Sequence, residues 1–184
     1  MKEFKESGLI FRFDDRWEVY QLDEEADYRQ KICKQIPETR CIDFIGFNEA
    51  DKILLFIEVK GFRGYGDKKN VQRLTGEKDD ITVEIAQKVK DSLATIIGGA
   101  RNSTNLPDVW KNHVEHLIEN GNLKVIAWVE LDVSTENLLR RAKTNMSTKR
   151  KELRKRLTWL TSDVDILNTR AYNNELEGIK VNLE

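Results

Sequence analysis

Three side chains in one short stretch have the types and the spacing to do chemistry. They are Asp43, Glu58 and Lys60, within residues 41–66, CIDFIGFNEADKILLFIEVKGFRGYG. Glu58 and Lys60 lie two residues apart, so on a β-strand they share one face while Val59 points to the other. An acid and a base at the end of an apolar strand are costly to bury unless they are paired or bind an ion. Two carboxylates on neighbouring strands can hold a hard divalent cation. Mg²⁺ (or Mn²⁺) suits them, because Mg²⁺ takes one or two protein carboxylates and leaves its other positions to waters and substrate phosphate. The carbonyl of Val59 is a candidate further oxygen. Such a metal lowers the pKa of a bound water and neutralises charge on a phosphorane-like transition state. Lys60 can then orient or deprotonate the attacking water, or stabilise the anion that develops. The same residues also fit a plainer arrangement, a Glu58–Lys60 ion pair at a strand end with Asp43 as a turn-side acid; exposed pairs of that kind are worth ~0–1 kcal/mol.

The elements that must position these groups follow from the apolar pattern. Runs at 42–45 and 52–57 flank Asn48-Glu49-Ala50-Asp51, which is turn material, so residues 41–46 and 52–60 are expected to form a hairpin. Upstream, 9–20 reads as two short strands about Asp14-Asp15, and Asp23-Glu24-Glu25 opens a helix to about Gln35 that Pro37 ends. Downstream, residues 61–80 are a polar, glycine-rich loop. A helix is expected from Ile81 to Ile97 on the stripe Ile81, Ile85, Val89, Leu93, Ile96, stopped by Gly98-Gly99. A second begins at Pro107 and runs to about residue 121. Residues 124–132 read as a buried strand, a basic helix spans about 134–160, and 163–168 and 178–183 read as closing strands. The expected architecture is one α/β domain over residues 1–184, α+β-like in having a mixed central sheet flanked by helices.

The whole chain bounds the partners. Its 184 residues are enough to bury a core, and a formal net charge of −1 means that any nucleic-acid surface must come from local clustering. The N-terminus lacks the apolar core of a signal peptide, and no apolar run approaches the ~18 residues of a membrane span. Cys33 and Cys41 are too few for a disulfide framework or a zinc site and read as two buried thiols of a reducing compartment. A cytoplasmic protein with no membrane partner is expected. His113 and His116, three apart on a predicted helix, have no third ligand nearby and read as packing.

Asp43, fourteen residues, then Glu58-Val59-Lys60 resembles the signature of the PD-(D/E)XK nuclease superfamily, whose fold is restriction-endonuclease-like. In that superfamily the first acid lies on one strand of a hairpin and the acid-x-lysine on the next. The resemblance covers roughly residues 20–100 and includes the order of the flanking helices; the proline that can precede the first acid is absent here, where Cys41-Ile42 stand. It implies Mg²⁺- or Mn²⁺-dependent hydrolysis of phosphodiester bonds in DNA by a metal-activated water. Asp43 and Glu58 would be metal ligands and Lys60 the residue that serves the water. It also implies an acid from the first helix, for which Asp23, Glu24, Glu25 and Asp27 compete and Asp23 is preferred, and a polar residue from the next helix, Gln87 or Lys88. An inactive relative would keep the scaffold and bind nucleic acid or a protein partner instead.

Two basic segments bear on the substrate. Residues 140–156, RRAKTNMSTKRKELRKR, set nine Lys or Arg against Glu152, and Lys149, Arg150, Lys151, Arg154 and Lys155 are the candidate phosphate contacts. Such a run also fits a solvated helix face or an acidic protein partner. In the loop after Lys60, Arg63, Lys68 and Lys69 supply charge, while Phe62 and Tyr65 are placed to stack on bases. DNA, or RNA, is the expected partner, and a homodimer is expected where both strands of a duplex are cut.

Overall fold

The computed structural model describes residues 1–64, 80–119, 121–131, 136–172 and 176–184. The strands are β1 Lys2–Glu6, β2 Leu9–Phe13, β3 Trp17–Gln21, β4 Phe44–Asn48, β5 Ile53–Gly61, β6 Asn122–Glu130, β7 Val164–Leu167 and β8 Ile179–Leu183. The α-helices are α1 Ile81–Asn102, α2 Pro107–Ile118 and α3 Glu136–Leu157. A five-stranded sheet has the order β3-β4-β5-β6-β7, and a three-stranded sheet the order β1-β2-β8. β3, β4 and β5 pair antiparallel, whereas β5, β6 and β7 run parallel. The central sheet is therefore mixed, as expected.

Strand alternation sorts β5 between two cores. Leu54 and Phe56 join the cluster beneath the helices, with Ile85 and Val89 of α1 and Val125 of β6. Leu55, Ile57 and Val59 join a second cluster with Phe11, Phe13 and Trp128, under the small sheet. Both faces of β5 are covered, which explains its near-continuous apolar run. By the same alternation Glu58 follows Leu54 and Phe56 to the helix side.

Several expected elements differ. β1 is an additional strand with one large apolar residue, Phe4, and too little periodicity to stand out. A two-residue turn joins it to β2, with Ser7 at φ 51° and Gly8 at φ 76°, the pair of positive φ values that a tight hairpin needs. The acid-started helix over 23–35 is instead a 3₁₀ turn, Leu22–Glu24, followed by a π-wound segment, Asp27–Cys33. Asp27 is tied inward: its Oδ2 accepts from Ser103 Oγ at 2.5 Å and from Trp110 Nε1 at 3.1 Å. Gly98-Gly99 do not stop α1, which continues to Asn102. A Cβ on Gly99 would lie 2.6 Å from Trp110 Cδ1, so that glycine serves the crossing of α1 and α2. Cys33 is exposed, and only Cys41 is buried.

Among the described residues no helix is long and apolar enough to cross a membrane.

Candidate functional site

The site lies where the carboxyl end of β5 meets α1. Glu58 is 1 % exposed, and Asp43, in the bend just before β4, is 7 % exposed. Phe44 pairs with Ile57, so the residue before Phe44 comes beside the one after Ile57. The Val59 N–H donates to Asp43 Oδ2 at 2.5 Å, which fixes one carboxylate against the strand that carries the other. The 40–43 segment is held by α1: Arg40 N–H donates to Asp91 Oδ2 at 3.2 Å and Ile42 N–H to Ser92 Oγ at 3.0 Å. The Asp43 carbonyl accepts from Leu22 N–H at 2.9 Å, which brings the 3₁₀ turn and Asp23 to the same place.

Two lysines enter this acid cluster. Lys60 Nζ lies 2.9 Å from Glu58 Oε1 and 2.6 Å from Glu84 Oε1. Lys88 Nζ lies 2.7 Å from Glu58 Oε1, 2.9 Å from Oε2 and 3.7 Å from Asp43 Oδ1. Glu84 and Lys88, one turn apart on α1, thus complete a chain Glu84–Lys60–Glu58–Lys88–Asp43. Glu58 Oε1 is close to both ammoniums, yet no donor is aligned to give it a hydrogen bond among the described residues; Asp23 Oδ1 is likewise buried without one.

The electrostatics follow from burial and from acid crowding. Burial, then the charge of Glu58, pushes the Asp43 carboxyl up to about 7, with Lys88 and the Val59 N–H opposing. Burial, then Asp43, pushes Asp23 up to about 6. Glu58 is raised by burial against the pull of Lys88 and Lys60. Burial acts to lower Lys60, but Glu58 and Glu84 outweigh it and raise the ammonium above its ordinary value. Lys60 is therefore a firm cation here, suited to donating to a water or a phosphoryl oxygen and not to taking a proton.

The chain matches no protein-family model, no curated protein and no solved structure.

The structure brings Asp43, Glu58, Lys60, Lys88 and Asp23 together. Gln87 is exposed on α1 and lines a groove of about 570 Å³ with Arg40, Glu84, Lys88 and Lys90 beside the cluster. Asp27 is held away with Ser103 and Trp110, and Glu24 faces solvent with Arg29. A larger hollow of about 970 Å³ lies at the other end of the hairpin, among Ala50, Lys52 and Asn112, and contains none of the cluster. Glu84 and Glu6 were not picked out from sequence. Glu84 had a signal, since it precedes Lys88 by four on one helix face. Glu6 acts on the proton affinity of both Asp23 and Asp43 from β1, and nothing local in the sequence marks it.

The basic segments divide. Lys149 is paired with Asp80 at 3.3 Å and Glu152 at 2.7 Å, Arg150 with Asp165 at 2.6 Å, and Arg154 Nε donates to the Val164 carbonyl at 2.9 Å. These side chains pin α3 to the start of α1 and to β7. Lys151 and Lys155 are exposed. Arg63 donates to the Gly8 carbonyl at 3.4 Å. Phe62 is buried in the helix-side core, which corrects its placement as a base-stacking residue. Lys68, Lys69 and Tyr65 lie outside the described residues. His113 and His116 pack edge-on against Phe47, with ring centroids 5.8 and 5.1 Å away, in agreement with the packing assignment.

The donor set suits a hard cation. Asp43 and Glu58 offer carboxylate oxygens, and the buried Asp23 Oδ1, which has no hydrogen-bond partner among the described residues, is an atom such an ion would satisfy. Among the described residues no group of three or more His, Cys, Asp or Glu is placed to hold a metal ion. Mg²⁺ does not require one, since it keeps several waters.

Proposed function

We propose that this chain is a Mg²⁺- or Mn²⁺-dependent nuclease, restriction-endonuclease-like in fold and similar to the PD-(D/E)XK superfamily, that hydrolyses phosphodiester bonds in DNA. One observation carries the reading: Asp23, Asp43, Glu58 and Glu84 set four carboxylates around the two ammoniums of Lys60 and Lys88, an excess of two negative charges once all four are ionised, with Asp43 and Glu58 buried and Asp23 and Glu84 partly exposed. One divalent cation neutralises that excess. Asp43 and Glu58 would hold it, with the Val59 carbonyl as a further oxygen. When bound, Mg²⁺ offsets phosphate charge and makes water a better nucleophile at neutral pH. Glu58, clamped between two lysines, cannot swing away. Lys60 would donate to the attacking water and to the charge that develops on the phosphoryl oxygens. Asp23 lines the same space from the 3₁₀ turn.

Lys88 favours a second reading. Its ammonium already lies between Glu58 and Asp43, where it can stand in for a cation in a catalytically silent module that binds nucleic acid or a protein through α3.

Cleavage separates the two. With Mg²⁺ or Mn²⁺, plasmid or single-stranded DNA is expected to be cut, and Lys60→Ala to lose about 10²–10⁴-fold in rate while keeping its fold by circular dichroism. Substrates left intact by the wild type with either metal would sink the nuclease reading. The silent module further expects a wild-type melting temperature indifferent to Mg²⁺ and a metal-dependent rise only after Lys88→Met.

A further inference from the structure

A third concavity, of about 380 Å³, opens at the carboxyl ends of β6 and β7, bounded by Glu130, Leu131 and Asn168. It lies on the same edge of the sheet as Glu58 and Lys60, because β5, β6 and β7 are parallel, with Lys60 opposite Val129 and Trp128 opposite Leu167. In open α/β sheets this edge is where ligands collect. The wall is apolar, made by Leu131 after β6, Met146 of α3 and Ile166 of β7. The rim is cationic, with Lys143, Arg150 and Arg170. Lys143 and Arg170 are exposed and have no ion-pair partner among the described residues, whereas Arg150 is paired with Asp165.

The pocket is built in advance of any ligand. Glu130, the acid on its lining, is buried and already engaged: Oε1 accepts from Thr169 Oγ1 at 2.8 Å and Oε2 from Thr169 N–H at 3.0 Å. Those bonds fix the turn that carries Arg170. Asn168 Nδ2 reaches Met146 Sδ at 3.6 Å, and its Oδ1 accepts from Ala171 N–H at 2.7 Å, so the apolar wall is held as well.

An apolar slot with a basic rim is complementary to a nucleotide, whose base has flat apolar faces and whose phosphates are anionic. A slot of this size takes one base, not a duplex. Two strand spacings of ~4.8 Å set β7 about 10 Å from β5, so a run of a few nucleotides of one strand can reach from one site to the other. We propose that this pocket seats one unpaired base of a single-stranded nucleic acid, with neighbouring phosphates on Lys143 and Arg170. The substrate class of the nuclease reading, on which this inference rests, is then a single strand or an unpaired end.

The test uses the full chain in EDTA and fluorescence anisotropy with three labelled probes: oligothymidylate, a duplex of equal length, and the same strand made abasic throughout. Oligothymidylate is expected to bind about tenfold or more tighter than the abasic strand. A K143E/R170E double variant, at exposed positions, is expected to weaken oligothymidylate binding and to lower the slope of log K against log salt by at least roughly 1.4, about 0.7 for each lost phosphate contact. Equal binding of normal and abasic strands, tighter binding of the duplex, no binding of any probe, or an unchanged slope in the double variant would each overturn the inference. If the wild type cleaves DNA while the double variant binds as the wild type does, this inference fails and the nuclease reading stands. If the pocket binds as expected and no metal supports cleavage, the nuclease reading fails alone.

Discussion

Asp43 bears the cost of the site. Its carboxyl is pushed up to about 7, first by burial and then by Glu58, from an ordinary value of 3.8. The folded state therefore keeps a proton that the unfolded chain has released, so this group lowers the stability of the metal-free protein as pH rises from about 4 to about 7. Asp43→Asn removes the charge and leaves an oxygen to accept the Val59 N–H. In EDTA at pH 8 the variant is expected to be more stable than the wild type by roughly 1–3 kcal/mol, several degrees in Tm, and to be nearly equal to it at pH 4. Mg²⁺ should raise the wild-type Tm and leave the variant unmoved. A wild type as stable as Asp43→Asn in EDTA at pH 8 would show that burial costs this carboxylate nothing. At this scale Asp43, Glu58 and Lys60 were legible, because a strand's period of two and a hairpin turn suffice to bring them together. Lys88 was legible only as one of two neighbours on α1; which of them turns inward depends on how the helix docks.

Elements carry the next layer of constraint, and α1 does most of the positioning: Ser92 and Asp91 hold the 40–43 segment, Lys88 and Glu84 hold Glu58 and Lys60, and Gly99 lets α2 approach. Gly99→Ala gains up to about 1 kcal/mol of helix propensity but places a Cβ 2.6 Å from the Trp110 ring, which is fully buried and cannot yield cheaply. A net loss of about 1–3 kcal/mol is expected in urea unfolding, whereas Gly98→Ala, whose Cβ would meet nothing within 4 Å, should be neutral or stabilising. Equal stabilities of the two variants would remove the case for a packing glycine. Read as a pair, Gly98-Gly99 looked like a stop because glycine is both a terminator and a close-contact residue, and only the facing Trp110 decides between them. The basic helix is a similar case. Its charge was plain, but that Lys149, Arg150 and Arg154 turn to Asp80, Asp165 and the Val164 carbonyl depends on residues distant in sequence. β1 escaped notice because one Phe gives no period.

For the molecule as a whole, the helix side of the sheet carries opposing titrations at the two ends of the β4–β5 hairpin, Asp43 at one and His113, against Phe47, at the other. His113 is 1 % exposed, and neither ring nitrogen has a hydrogen-bond partner among the described residues. Burial first, then the neighbouring His116, hold it neutral with its pKa lowered from 6.5 to about 4. Here the folded value lies below the unfolded one, so stability is fully present above about 6.5 and is lost as pH falls from there toward 4, opposite in sign to Asp43. The rings around it, Phe47 and Trp110, offer no charge that could favour the imidazolium. His113→Leu is therefore expected to stabilise the protein increasingly as pH is lowered from 7 to 4.5, while Asp43→Asn stabilises it increasingly as pH is raised over the same range in EDTA. Thermal unfolding across that range checks both, and a pH-independent effect of His113→Leu would count against a buried neutral imidazole. The metal-free wild type should then be most stable between these limits. Mg²⁺ relieves only the carboxylate side, so its stabilising effect should grow with pH and carry the optimum upward.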